Sequence, residues 1–318
     1  MDALWIMLKN VIVFVALAVP GFILVKSKML TQAQSGALSK LLMYVGMPFL
    51  ILTNIVAKIT FNKELLLMMG VVALIGGVYT FATFFLSKPI TAMEKEEKTK
   101  GMMRFCSVFS NNGFLGIPLA MAVFGAGSKE LMVVIILNII TNILMYTLGI
   151  YLVSGDKKAI SFKKAFLNPV LIAFIIGVGL NLLKVKSYVP EVVDYSAHFS
   201  NLVTPISMII LGMKLGTVKF TALFKSWKMY YVAALKLVVF PLIIVAIAFL
   251  VKMVWSVIDM AVVLGVFIAF ATPTAGLAST FSDNYDGDTE SAVVFTLGTT
   301  VLSVLTIPLI YWLISFAT

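Results

Sequence analysis

Asn111-Asn112-Gly113-Phe114-Leu115-Gly116-Ile117-Pro118 and Ala271-Thr272-Pro273-Thr274-Ala275-Gly276 each interrupt a long apolar run. An unpaired backbone group in hydrocarbon costs several kcal/mol, so irregular backbone persists there only where it lines a cavity or is buried in protein. Pro118 and Pro273 lack an N–H and disfavour helix in the residue before them. Gly113, Gly116 and Gly276 let the chain turn and let another group approach closely. A half-helix starting after each break would present unpaired N–H groups and partial positive charge, and two such ends facing one point would form an anion site. Asn111, Asn112, Thr272 and Thr274 add neutral donors and acceptors. The bland alternative is a pair of proline kinks repaired by neighbouring side chains. Two polar breaks, one in each half of the chain, favour the substrate site of a secondary transporter.

The rest of the chain sets the frame. It has 318 residues, 61% hydrophobic and only 12% charged, where soluble domains carry roughly 25% charge. Apolar runs of about 20 residues recur throughout, so the composition reads as an all-α integral membrane protein. Ten spans are expected, at 5–25, 33–57, 65–87, 101–124, 130–153, 168–184, 197–216, 227–251, 257–283 and 289–316. No cleavable leader is expected, because the first apolar run has no basic n-region. Cys106 is the single cysteine and His198 the single histidine, which excludes an internal disulfide, a CxxC site and a multi-histidine metal centre.

The net charge of +10 reads as topology and not as nucleic-acid binding, because the cations fall in short loops. Sixteen Lys and Arg lie on one face: Lys26, Lys28, Lys40, Lys88, Lys95, Lys98, Lys100, Arg104, Lys157, Lys158, Lys163, Lys164, Lys214, Lys219, Lys225 and Lys228. Six lie on the other: Lys58, Lys63, Lys129, Lys184, Lys186 and Lys252. The rich face should be cytoplasmic. An even number of spans then puts both termini outside the cytoplasm, in a multi-pass protein of the cell (inner) membrane. The acidic loop Asp283, Asp286, Asp288 and Glu290 dissents, but acidic residues count little in this rule.

Pro118 and Pro273 are 155 residues apart, and Pro48 and Pro205 are 157 apart. Near-equal offsets point to a duplicated five-span unit, residues 1–153 and 161–318. Five is odd, so the second copy would be inverted, with the broken fourth and ninth spans crossing near the midplane. Chance spacing of membrane prolines is the competing account.

Lys236 lies inside the eighth span, about nine residues from its cytoplasmic end, or roughly 13 Å deep. A cation at that depth costs at least about 2.5–3.5 kcal/mol and marks function or a snorkelling side chain. No Asp or Glu falls mid-span; Glu64, Glu130, Asp194, Asp259 and Asp288 are all at edges. Proton and cation antiporters rely on intramembrane carboxylates, so their absence beside Lys236 favours an anionic substrate. Asn54, Asn138, Asn142, Asn181, Thr141, Thr299 and Thr300 read first as interhelical hydrogen bonds. Asn138 and Asn142 are i, i+4 and share a face, a second layer behind the crossover. Met43, Met47, Met208 and Met213 read as adaptable packing.

Ser110 to Leu119, the Ala271–Ala275 break with Asp283 to Asp288 and Thr299-Thr300, Leu211-Gly212-Met213, and Lys236 to Pro241 together resemble the auxin efflux carrier (PIN-like) family, over essentially the whole chain. The bacterial malate and malonate permeases are its closer branch, because the long cytoplasmic loop of many plant members is missing. The resemblance implies a ten-helix inverted repeat with crossed helices four and nine. It also implies a scaffold of spans one, two, six and seven, and a transport unit of spans three to five and eight to ten. Family members are dimers that carry organic anions by an elevator motion, so a homodimer is implied here. The family's carboxylate-contacting asparagine maps onto Asn111 or Asn112, and the sequence leaves that choice open.

The expected function is therefore secondary active transport of a mono- or dicarboxylate. Substrate contacts are expected from Asn111, Asn112, Gly113, Pro118, Lys236, Thr272, Pro273 and Thr274, with Asn138 and Asn142 behind them. The expected partners are a small organic anion and membrane lipid, with no nucleic acid, no metal and no cofactor. Coupling to Na+ or H+ stays open. The main rival is a sodium-coupled symporter of a bulkier amphipathic anion, similar to the bile-acid symporters. An intramembrane enzyme is disfavoured: no H-E-x-x-H, no G-x-S-x-G and no paired intramembrane acids occur. A channel fits two discontinuous helices less well than alternating access does.

Overall fold

Apolar runs that must satisfy their own backbone hydrogen bonds form helices, and the computed structural model is helical throughout its described residues, 2–217, 225–255 and 258–315. Lys219 and the terminal Thr318 lie outside them. The helices are α1 (Asp2–Lys26), α2 (Gln32–Leu41), α3 (Met47–Lys58), α4 (Lys63–Ile90), α5 (Glu97–Val108) and α6 (Ile117–Phe124). After them come α7 (Lys129–Leu144), α8 (Ile150–Ser154), α9 (Phe162–Phe166), α10 (Pro169–Leu182), α11 (Val185–Tyr188), α12 (Glu191–Ser200) and α13 (Val203–Gly216). The last are α14 (Trp227–Ala234), α15 (Phe240–Val254), α16 (Met260–Ala271), α17 (Ala278–Asn284) and α18 (Thr289–Ser315). Among the described residues six stretches are long and apolar enough to cross a membrane: Gln34–Lys58, Lys63–Ile90, Lys129–Ser154, Glu191–Gly216, Trp227–Val254 and Thr289–Ile314. Ile12–Lys26, Asn112–Phe124, Pro169–Leu182 and Met260–Ala271 are shorter apolar helices.

Several helices begin on polar caps that the sequence supplies. Asn62, Ser128, Asn168, Ser226 and Asp259 each accept a hydrogen bond from a backbone N–H in the first turn of α4, α7, α10, α14 and α16. Among the described residues four π-helical turns interrupt the long helices: Leu42–Gly46, Asn112–Gly116, Met145–Gly149 and Leu235–Val239. Pro48, Pro118 and Pro241 each follow such a turn by two residues. The proline ring collides with a carbonyl one turn back, and the wider π turn moves that carbonyl aside.

Two helix pairs pack tightly, the first of them with unusually close backbones. A Cβ built on Gly212 of α13 would overlap the Ala18 carbonyl of α1, and one on Gly21 would overlap the Ile209 carbonyl. Small residues are what allow such approach between apolar helices. The α3–α10 pair is joined by Asn181, whose Nδ2 donates to Ile55 O at 2.7 Å and Ile59 O at 2.8 Å. These are C-terminal carbonyls of α3 that would otherwise go unpaired.

The acidic loop has a local explanation. Asp286 pairs with Lys98 at 2.7 Å. Asp288 accepts from Ser291 N at 2.9 Å and from Thr99 Oγ1 at 2.6 Å. Nearby, Lys228 pairs with Glu94. The Lys228 hydrogen bond, followed by backbone N–H groups of Glu96 and Lys95, holds the Glu94 carboxyl below the ordinary carboxylate range. At the opposite end Lys129 pairs with Asp259 at 2.7 Å.

Candidate crossover site

The helix of α5 ends at Val108 and resumes as a π turn at Asn112; α16 ends at Ala271 and the next helix starts at Ala278. The two non-helical segments pair with each other. Asn111 N donates to Pro273 O at 2.7 Å, and Ala275 N donates to Phe109 O at 2.9 Å. Ser110 and Thr274 thus form a small antiparallel bridge in an otherwise helical protein. Each break satisfies backbone groups that the other leaves free.

A cavity of about 40 Å³ sits against this bridge. Ser110, Asn111, Asn112, Gly113, Asn138 and Asn142 contribute its polar wall, and Met43, Met47 and Met145 part of its apolar wall. It has room for a carboxylate head, since one water needs only about 10–15 Å³ of such space. Met43, Asn168 and Leu277 also line a larger vestibule of about 580 Å³, where Tyr44, Tyr146, Lys163, Lys164 and Tyr285 lie. Three of the four π turns reach these cavities, through Met43 and Tyr44, Asn112 and Gly113, and Met145 and Tyr146. The fourth carries Lys236.

The two asparagines of the first break differ. The Asn112 side chain is buried and fully engaged: its Nδ2 donates to Thr141 Oγ1 at 3.1 Å, and its Oδ1 accepts from Asn138 Nδ2 at 2.9 Å. Asn142 Nδ2 extends the chain to Asn138 O at 2.9 Å. Gly113 makes room for this network, because a Cβ there would stand 2.8 Å from Asn138 Nδ2. The Asn111 side chain makes no hydrogen bond to the described residues and borders the cavity. Asn138 Oδ1 is buried on the cavity wall without a partner among them.

Lys236 is fully buried and does not snorkel. Its ammonium donates to Ser110 Oγ, whose residue lines the cavity, and to Phe270 O at 3.3 Å. It makes no ion pair among the described residues. When protonated, a buried lysine without a counter-ion raises the affinity of the adjacent space for an anion.

The other expected contacts stand behind the cavity. The Thr272 hydroxyl donates to Ala269 O at 3.2 Å and that of Thr274 to Cys106 O at 2.8 Å, so both are spent on carbonyls in the last turns of α16 and α5, the helices that lead into the bridge. Pro118 sits buried in the first turn of α6, and Pro273 acts through its carbonyl. The sequence reading missed Lys214. Counted there as a loop cation, it lies in the last turn of α13, and its ammonium donates to Gly276 O at 2.8 Å. Its place one residue beyond Leu211-Gly212-Met213, where α13 is pinned to α1, was the available signal.

Residues 5–311 match the family of membrane transport proteins. The chain belongs to that family, the auxin efflux carrier group. It is also similar to an uncharacterized transporter of Methanothermobacter thermautotrophicus, with 25% identity over 306 residues, covering 95% of this chain and 96% of the relative. Membership makes the protein a multi-pass membrane transporter, and the crossover cavity is the feature of this member that needs a role.

Proposed function

We propose that this chain is a secondary active transporter of a small organic anion, a mono- or dicarboxylate, in the cell membrane. One observation carries the reading. Among the described residues the Asn111 amide has no partner and the Lys236 amine has no counter-ion; Asn111 borders a carboxylate-sized cavity, next to Ser110, which accepts from Lys236. The N-terminus of Asn112–Phe124 adds partial positive charge to the same wall. The carboxylate accepts from Asn111 and the half-helix N–H groups, and the rest of the substrate extends into the vestibule beside Lys163 and Lys164.

The six long and four shorter apolar helices support a ten-span arrangement, with α5–α6 as the fourth span and α16–α17 as the ninth. The near-equal proline offsets and the mutual pairing of the two breaks support an inverted 5+5 repeat. The close α1–α13 and α3–α10 pairs correspond to spans one, seven, two and six, and they suit a scaffold against which the crossover unit slides. In this arrangement both termini are extracytoplasmic, and the vestibule, with its lysines, opens to the cytoplasm.

A second reading keeps the same site and adds sodium. The unpaired Asn138 Oδ1 on the cavity wall is an oxygen suited to a hard cation. One experiment separates the two. Purified protein in nanodiscs is heated with a panel of mono- and dicarboxylates, with and without sodium. A ligand at 100 times its Kd stabilises by about 2.7 kcal/mol. Stabilisation by a carboxylate in sodium-free buffer supports the first reading, and stabilisation only with sodium supports the second. If no carboxylate stabilises the protein under either condition, the organic-anion reading is wrong.

A further inference from the structure

Lys214 lines a second small cavity that shares Asn111, Phe114 and Gly276 with the first, so the two cavities meet at the crossover. Its one acceptor in the described structure is the neutral Gly276 carbonyl, and it forms no ion pair there. An ammonium has three donors and a full charge, so a single amide oxygen leaves it under-satisfied. A carboxylate is the stronger acceptor, because a bond between two ionised groups is shorter and roughly twice as strong as a neutral one.

The geometry allows the exchange. A Cβ on Gly276 would stand 3.5 Å from Asn111 Nδ2, so the residue whose carbonyl holds Lys214 is adjacent to the free amide. An anion held by Asn111 is therefore beside the Lys214 ammonium. The backbone that carries Lys214 is fixed, since Gly212, two residues earlier, lies against the Ala18 carbonyl. Only the flexible lysine stem has to move.

We propose that Lys214 is a specificity-determining residue of the site: its ammonium leaves the Gly276 carbonyl for the carboxylate of the bound organic anion. Lys214 thereby discriminates a carboxylate from a neutral group of the same shape. The inference rests on the reading of the cavity as an organic-anion site. It adds that charge recognition comes from α13, outside the crossover, so binding ties α13 to the crossover through the substrate.

The test compares acids with their amides: acetate, malonate, malate and phenylacetate against acetamide, malonamide, malamide and phenylacetamide. Affinities are measured by titration calorimetry on protein in nanodiscs, and the melting temperature of each variant without added ligand checks folding. In the wild type at least one acid binds and its amide binds far more weakly. In Lys214→Gln the affinity for that acid falls ten- to a hundredfold, the span expected for one bond to a charged group. Affinity for the amide stays unchanged, so the preference collapses. Lys214→Arg retains most of the preference. If Lys214 is only a bracket for Gly276, Lys214→Gln lowers the melting temperature and keeps the wild-type preference, which overturns the proposal. Acid binding that needs Asn111 but ignores Lys214→Gln removes this inference and leaves the organic-anion reading standing. Failure of the wild type to bind any acid in the panel removes both.

Discussion

Asn111→Ala and Asn112→Ala should have opposite consequences, although the residues are neighbours of identical chemistry. The Asn111 side chain makes no bond to the described protein, so its loss leaves no buried group unpaired. Stability should change by less than about 0.5 kcal/mol. Its bond to a charged substrate should be worth about 1.5–3 kcal/mol, a tenfold to hundredfold loss of affinity. Asn112 is a hub between Thr141 and Asn138. Its removal strands the Thr141 hydroxyl and the Asn138 amide in a buried site, at about 1–3 kcal/mol each. Stability should therefore fall by about 2–6 kcal/mol, with any binding change following from disorder of the network. Chemical and thermal denaturation in nanodiscs measure the first quantity and titration with the best carboxylate measures the second. The reasoning fails if Asn111→Ala binds like the wild type while Asn112→Ala is as stable as the wild type and has lost binding.

Three further outcomes are expected. Lys236→Ala should abolish most uptake and Lys236→Arg should restore part of it, read in proteoliposomes at matched incorporation, because Arg keeps the charge but not the shape; unchanged uptake in Lys236→Ala would remove it from the site. Glu94 has a depressed carboxyl pKa in the folded protein, so its contribution is complete above the ordinary value of 4.5 and is lost as pH falls through and below it. The melting temperature should drop over that acidic range less steeply in Glu94→Gln than in the wild type, and parallel profiles would contradict this. Reporter fusions after Thr318 should read as extracytoplasmic and insertions near Glu96 as cytoplasmic, the reverse pattern overturning the orientation.

What could be read from the sequence was what breaks an apolar pattern. Pro118, Pro273 and the polar residues around them stood out because a polar break in hydrocarbon needs protein or a cavity around it, and the family resemblance rested on the same positions. Lys236 was visible for the same reason. Direction was not visible. Asn111 and Asn112 share chemistry and differ only in where the backbone aims them, and Thr272 and Thr274 look like ligands until their hydroxyls are found on the Ala269 and Cys106 carbonyls. The π turns leave no compositional trace beyond a proline that follows three of them. Lys214 was hidden by position. At the end of an apolar run a lysine reads as a membrane-edge residue, and only the packing of α13 on α1 turns it toward Gly276.

The short antiparallel bridge between residues 109–111 and 273–275 has a mechanical consequence. Both of its bonds are main chain to main chain, so they hold whichever side chains flank them, and parting them in a dry interior would cost several kcal/mol. The two breaks are thus riveted together. On the proposed transport reading, a recognition surface built on a rivet would keep its shape during transit: it would be shuttled whole, whereas one built on a hinge would be dismantled and rebuilt in every cycle. Selectivity would then be decided once, at loading, and side-chain drift around the rivet could retune the cargo without altering the machinery that moves it.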